Sequence, residues 1–315
     1  MKERALIAQL LAPLATSTAA RGLLDDAAVL APPLGRELVL SHDIVASGVH
    51  YLPGDPPSDV AWKLLAVNLS DLAAMGARPL GVLLGLGLSA AEDDAWVSAF
   101  VAGLARGMAR WGVALYGGDT VSGLAQAVLG LTAIGQVEPG RALSRSGARP
   151  GDILYVSGTI GDAGLGLGIA SGRIAQGEAA PDKFLLNRFR RPEPRLALGQ
   201  ALAGLATAAM DISDGLLIDA ERLAAASGVA VTVKLAQLPL SPAAAARTAP
   251  GDIDRLARAT AGDDYELLFT LPAGVAPPGG FAVTRIGGID AGAGLVVIGS
   301  DNEVLRPERL GWEHS

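Results

Sequence analysis

The sequence predicts a two-domain α/β protein (α+β mixed), with mixed β-sheets flanked by helices. Three observations carry that reading. Short apolar β-type runs alternate with segments of helical apolar spacing along the whole chain. A stretch rich in Gly, Pro and Arg, from Glu138-Pro139-Gly140 through Ala148-Arg149-Pro150-Gly151, separates two comparable halves, 1–138 and 139–315. The 315 residues are 50% hydrophobic but only 4% aromatic, which supplies substantial cores built from Ala, Val, Leu and Ile.

The amino terminus starts with charges, as a signal peptide does. Pro13 and the polar run Thr16-Ser17-Thr18 follow too soon, so the spacing predicts an amphipathic first helix. β-type runs follow near 27–30 and 37–45. A long helix is expected from about Ser58 to Met75, ended by Gly76 and Pro79. A strand from Gly81 to Leu88 leads into a helix over about 90–111, and two more strands fall near 113–116 and 127–137. The second half restarts with a strand at Ile153–Val156 and a glycine-rich turn. Helices are expected over about 162–172, 194–205 and 214–227, and strands near 208–212, 229–233, 267–270, 282–286 and 295–298.

Composition narrows the function. A net charge of −7 argues against a nucleic-acid or anionic-membrane surface. No run reaches the roughly 18 apolar residues of a membrane span. Cysteine is absent, which removes disulfides, thiolate zinc sites and cysteine nucleophiles and fits a cytoplasmic protein.

The strongest chemical signal is a set of aspartates inside short apolar stretches: Asp26, Asp43, Asp71, Asp119, Asp211 and Asp214. A carboxylate drawn out of water costs several kcal/mol unless a cation or hydrogen bonds compensate it. Hard, oxygen-seeking Mg²⁺ is a common partner for such groups, and it usually arrives with phosphates. Each position has a plainer reading. Asp214 or Ser213 would cap the helix that follows, although capping leaves Asp211 unexplained. Asp71 would ordinarily face solvent, but Val67, Leu69, Leu72, Ala73 and Ala74 leave little room for a wet face. Asp119, after Gly117-Gly118, and the pair Asp25-Asp26 would be ordinary turns.

Other motifs are excluded. The run from Gly158 to Gly168 follows a strand and precedes a helix but lacks the dinucleotide spacing, so close helix–sheet packing or a phosphate-adjacent turn is expected. None of the four lysines, Lys2, Lys63, Lys183 and Lys234, follows a P-loop, so a triphosphate would be held by metal ions and backbone amides. The three histidines, His42, His50 and His314, form no zinc array, and no Gly-x-Ser-x-Gly elbow is present.

The order of motifs resembles the thiamine-monophosphate kinase family, within the superfamily of aminoimidazole-ribonucleotide synthetase-like ATP enzymes. The resemblance runs through Asp25-Asp26-Ala27-Ala28-Val29, Ser41-His42-Asp43-Ile44, Asn68-Leu69-Ser70-Asp71 and Gly117-Gly118-Asp119-Thr120. It continues through Arg145-Ser146-Gly147, Asp211-Ile212-Ser213-Asp214-Gly215 and Gly262-Asp263-Asp264-Tyr265-Glu266. It implies ATP-dependent conversion of thiamine monophosphate to thiamine diphosphate, several Mg²⁺ ions and a homodimer formed through the first domain. Matching positions make Asp26, Asp43, Asp71, Asp119, Asp211 and Asp214 metal ligands, with Ser41 and His42 as lesser candidates. Gly118, Asp119, Arg145 and Ser213 match nucleotide contacts, and His50, Asp263 and Trp312 match the acceptor pocket. No general base is expected, because the acceptor phosphate is already an anionic nucleophile. The chain departs from the family at Leu24, Ser41-His42 and Asp263, where Gly, Thr-Thr and Glu are usual. The rivals are another ATP-dependent member of the superfamily, a two-metal phosphohydrolase and a non-catalytic Mg-nucleotide module.

Overall fold

The computed structural model describes residues 3–177, 179–249 and 251–313. His314 lies outside them. The chain divides into two compact units, Met1–Leu72 with Ala77–Gly140, and Ala73–Gly76 with Arg141–Ser315.

The amphipathic start is realised as a short broken helical segment, α1 (Glu3–Leu6) followed by a π turn and a 3₁₀ turn ending at Leu14. The expected β-type run near 27–30 forms no strand. Its Val29 amide instead bonds the Ala19 carbonyl at 2.9 Å, tying the segment to the chain before it. Four strands build the first unit's sheet: β1 (Glu37–Ala46), β2 (Arg78–Ser89), β3 (Ala114–Leu124) and β4 (Val128–Val137), in the order β1-β4-β2-β3. Only β2 and β3 are parallel, and they are joined by a helical crossover as parallel strands require. That crossover is α3 (Asp94–Trp111), which starts where the Asp93 side chain accepts the Trp96 amide and stops at left-handed Gly112. The other long helix, α2 (Pro57–Ala74), carries proline at its first turn, where a missing N–H costs nothing. Leu64, Leu65, Leu69 and Leu72 along it are fully buried, each such side chain contributing about 2 kcal/mol.

The second unit holds seven strands: β5 (Ile153–Ser157), β6 (Ala208–Asp211), β7 (Ala230–Lys234), β8 (Leu267–Leu271), β9 (Val283–Asp290), β10 (Gly294–Ile298) and β11 (Val304–Leu305). Their order is β11-β10-β7-β9-β5-β8-β6. The helices are α4 (Asp162–Ala170), α5 (Ala179–Arg190), α6 (Leu196–Leu202), α7 (Leu216–Ser227), α8 (Pro242–Ala245) and α9 (Asp252–Ala259). The interior strand β8, paired between β5 and β6, is buried at every position, so its largely apolar sequence is what a strand covered on both faces demands. Its Leu268 joins Leu216, Leu217 and Leu223 of α7 in the main core of the unit.

Candidate functional site

Strand alternation sorts the first unit's candidates onto two faces. Along β1, Val39, Ser41, Asp43 and Val45 are the less exposed positions, while Leu40, His42 and Ile44 are exposed. On the first face, the Ser41 hydroxyl donates to Asp71 of α2. One helical turn earlier, the side-chain Oδ1 of buried Asn68 accepts the Asp43 backbone amide at 2.9 Å, and its Nδ2 donates to the Leu64 carbonyl at 2.9 Å. Asp71 therefore does not face open solvent, and Ser41, Asp43 and Asp71 are brought together. His42 is not brought to them. Its Nδ1 meets the Thr132 hydroxyl at 2.9 Å on the opposite face, where Asp119 also lies, and the two line one shallow pocket of about 340 Å³.

A larger cavity of about 590 Å³ collects Asp25, Asp26, Gly118, Asp119 and Thr120 over an apolar floor that includes Leu83, Leu115 and Ile134. Glycine is required at Gly118, since a Cβ there would overlap the Leu84 carbonyl. The glycine there answers to close packing of β3 on β2. Asp119 holds the Thr120 amide at 2.9 Å, and both Asp26 and Asp119 are exposed. His50 is fixed by the Ala46 amide, which its Nδ1 accepts at 3.1 Å, and this puts the ring proton on Nε2.

In the second unit the Asp211-Ile212-Ser213-Asp214-Gly215 loop links β6 to α7. Asp211 is buried at the strand end. The expected cap by Asp214 or Ser213 is not made: Gly215 is the N-cap and no side chain caps the helix, while a carboxylate in its first turn braces the preceding loop. Asp219 turns back to accept the Ser213 and Asp214 amides at 3.1 and 3.2 Å. Arg222 joins both carboxylates, at 2.5 Å from Asp214 and 2.8 Å from Asp219. Burial pushes the Asp219 carboxyl up to about 6 against the pull of Arg222. Opposite this loop, the Asp263 amide donates to the Ser213 carbonyl and the Tyr265 amide to the Ile212 carbonyl, both at 2.8 Å. The Trp312 amide donates to the Asp214 carbonyl at 2.9 Å, while the indole is 48% exposed with the Arg309 guanidinium 5.4 Å from its ring. Ser213, Asp214, Asp263 and Trp312 are thus tied together by backbone bonds. Arg145 stands exposed, its carbonyl accepting the Ser227 hydroxyl at 3.0 Å.

The glycine-rich run is no phosphate cradle. The Gly161 amide at the start of α4 donates to Asp264 at 2.8 Å, so the chain's own carboxylate occupies that helix end. A Cβ on Gly158 would strike Glu266, and one on Gly161 would strike Arg258. Around them Asp162, Asp264 and Glu266 are fully buried. Glu266 takes the Ser157 hydroxyl at 2.5 Å, Arg188 at 2.9 Å and Arg195 Nε at 2.7 Å. Burial raises the Asp264 carboxyl to about 8. Sequence reading missed this network and Asp219, although Asp264 and Glu266 lie inside a motif it quoted.

Among the described residues no three His, Asp or Glu side chains converge as a preformed metal cage. The donors present are nonetheless carboxylates and a hydroxyl, the hard oxygen set that suits Mg²⁺ rather than a thiophilic metal.

Comparison with known proteins places the chain. Its residues 24–137 match the AIR synthase related protein N-terminal domain and residues 149–305 the corresponding C-terminal domain. The chain is 41% identical over 319 residues to a thiamine-monophosphate kinase of Caulobacter vibrioides, covering 98% of this chain and 89% of that one. The crystal structure of thiamine-monophosphate kinase from Stenotrophomonas maltophilia superposes with a TM-score of 0.81 at 41% identity, covering 90% of this chain and 91% of that one. AaThiL complexed with AMPPCP and TMP superposes with a TM-score of 0.79 at 30% identity, covering 98% of this chain and 94% of that one. The two domain matches therefore define an AIR synthase related protein built of both domains. Within that class, the chain belongs to the thiamine-monophosphate kinase family, a family of enzymes.

Proposed function

We infer that this chain phosphorylates thiamine monophosphate to thiamine diphosphate, using ATP and direct in-line transfer. The observation that carries the reading is the convergence of Asp26, Gly118 and Asp119 on one cavity, within a chain of this family. Phosphoryl transfer asks for positioning and charge neutralisation rather than covalent chemistry, and an acceptor phosphate needs no strong base. Gly118 lines the cavity a triphosphate would enter, and Arg145 is an exposed cation. The acceptor is bound by His50, Asp263 and Trp312, with the half-exposed indole available to stack on a cationic ring.

Mg²⁺ belongs to this proposal, held by Asp26, Asp43, Asp71, Asp119, Asp211 and Asp214 with Ser41 and His42 in lesser roles. When bound, it would offset the repulsion between two phosphate-bearing substrates. For His42 the support is the neighbourhood of Asp119, not of Asp43.

A homodimer through the first unit is also proposed. Ile44, Val121, Leu124 and Val128 line the same shallow pocket on one sheet face and are all exposed, an apolar surface that a second copy would cover. No helix among the described residues is long and apolar enough to cross a membrane. A cytoplasmic location is proposed with it, supported by the absence of cysteine. Neither nucleic acid nor membrane is among the proposed partners.

Product analysis tests the reading. Incubation with ATP, Mg²⁺ and thiamine monophosphate should give ADP and thiamine diphosphate in equal amounts. ADP with inorganic phosphate and unchanged acceptor would point to a phosphohydrolase.

A further inference from the structure

The segment from Gly262 to Glu266 forms a hook with alternating burial. Asp264 and Glu266 are fully buried, while Asp263 and Tyr265 are half-buried. Both of the latter hold positive φ, 68° and 49°, a conformation that non-glycine residues adopt only when their surroundings enforce it. The enforcement is visible. Asp264 takes the Gly161 amide, and Glu266 takes Ser157, Arg188 and Arg195. On the outer side the Asp263 and Tyr265 amides bond the Ser213 and Ile212 carbonyls. The Tyr265 hydroxyl reaches back to donate to Asp263 Oδ1 at 3.3 Å.

The inward residues already meet the structural needs of the hook. The hydroxyl–carboxylate bond joins two partly exposed side chains on the outer side of the hook and restrains Asp263. A carboxylate repels the acceptor's phosphate and attracts a cationic or N–H-bearing ring. We propose that Tyr265 is a positioning residue, its hydroxyl aiming Asp263 at the ring end of the acceptor on a hook locked by Asp264 and Glu266. This rests on the placing of Asp263 in the acceptor pocket.

Steady-state kinetics of Tyr265→Phe, Asp263→Ala and the double variant test the proposal. Loss of one such hydrogen bond should raise KM for thiamine monophosphate about fivefold in Tyr265→Phe. KM for ATP, kcat and the melting temperature should stay near wild type. In the Asp263→Ala background, Tyr265→Phe should change nothing further, because its target is gone. If Asp263→Ala raises the acceptor KM but Tyr265→Phe does not, the positioning role is overturned while the pocket assignment stands. If Asp263→Ala leaves that KM unchanged, both fall. Equal rises in both KM values with a lower melting temperature would reduce Tyr265 to a structural role and overturn the proposal.

Discussion

In the first unit Asp26 and Asp119 stand exposed around a cavity, and Asp71 is met by a serine hydroxyl. In the second, Asp162, Asp264 and Glu266 are fully buried and answered by Arg188, Arg195, hydroxyls and a helix amide. The same residue types thus serve two ends. Carboxylates compensated from within the chain are fixed at folding and hold backbone in place. Carboxylates left near solvent keep their oxygens for a cation brought with the substrate. The two groups should respond differently to substitution.

The largest effect is expected in the first group. Asp71→Asn keeps the shape and removes the charge, so turnover should fall by two to three orders of magnitude, the scale of losing one electrostatic contact to a transition state. Circular dichroism and melting temperature should be unchanged. Wild-type activity at saturating ATP and Mg²⁺ would remove Asp71 from the site.

Arg195→Met should do the reverse, damaging the fold first. It strips Glu266 of its forked partner and leaves Arg188 as its remaining cation beside the Ser157 hydroxyl. Breaking a buried pair costs about 3–5 kcal/mol, and Arg195 keeps some solvent contact, so about 2–3 kcal/mol is expected from urea denaturation. An unchanged midpoint would show that the buried network does not hold the unit.

Trp312→Ala tests a smaller contact. Acceptor binding should weaken by about 1–2 kcal/mol, the scale of a cation–π or stacking contact, with ATP affinity hardly altered. A lower melting temperature with unchanged kinetics would make the indole a packing group instead.

The subtlest difference is in pH dependence. Burial raises the Asp264 carboxyl to about 8, well above its unfolded value. The folded state therefore binds the proton more tightly, and stability falls as pH rises from about 4 towards 8. Asp264→Asn removes that titration. Its stability relative to wild type should increase over this window, as read from melting temperatures at fixed ionic strength.

Much of the fold was legible because burial writes itself into apolar periodicity. Helix α2 and strand β8 are rich in apolar residues, and Gly112 marks the end of α3. Helix α5 went unread, since its exposed face carries Lys183 and Asn187 and its apolar stripe is short. The run near 27–30 has β-type residues but no strand partner, and pairing decides a strand. At the site, period-two alternation in β1 already separates His42 from Ser41 and Asp43, a distinction the motif match alone does not make. The Arg195–Glu266 pair spans 71 residues of sequence, and only the folded chain reveals it.

Calorimetric titration of a non-hydrolysable ATP analogue, with and without Mg²⁺, into the wild type and Asp71→Asn tests the central claim that the first unit's lightly held carboxylates form a metal–nucleotide site. Saturable binding that needs Mg²⁺ in the wild type and is lost in the well-folded variant is the predicted result. Binding of equal affinity in both proteins, indifferent to Mg²⁺, would contradict it.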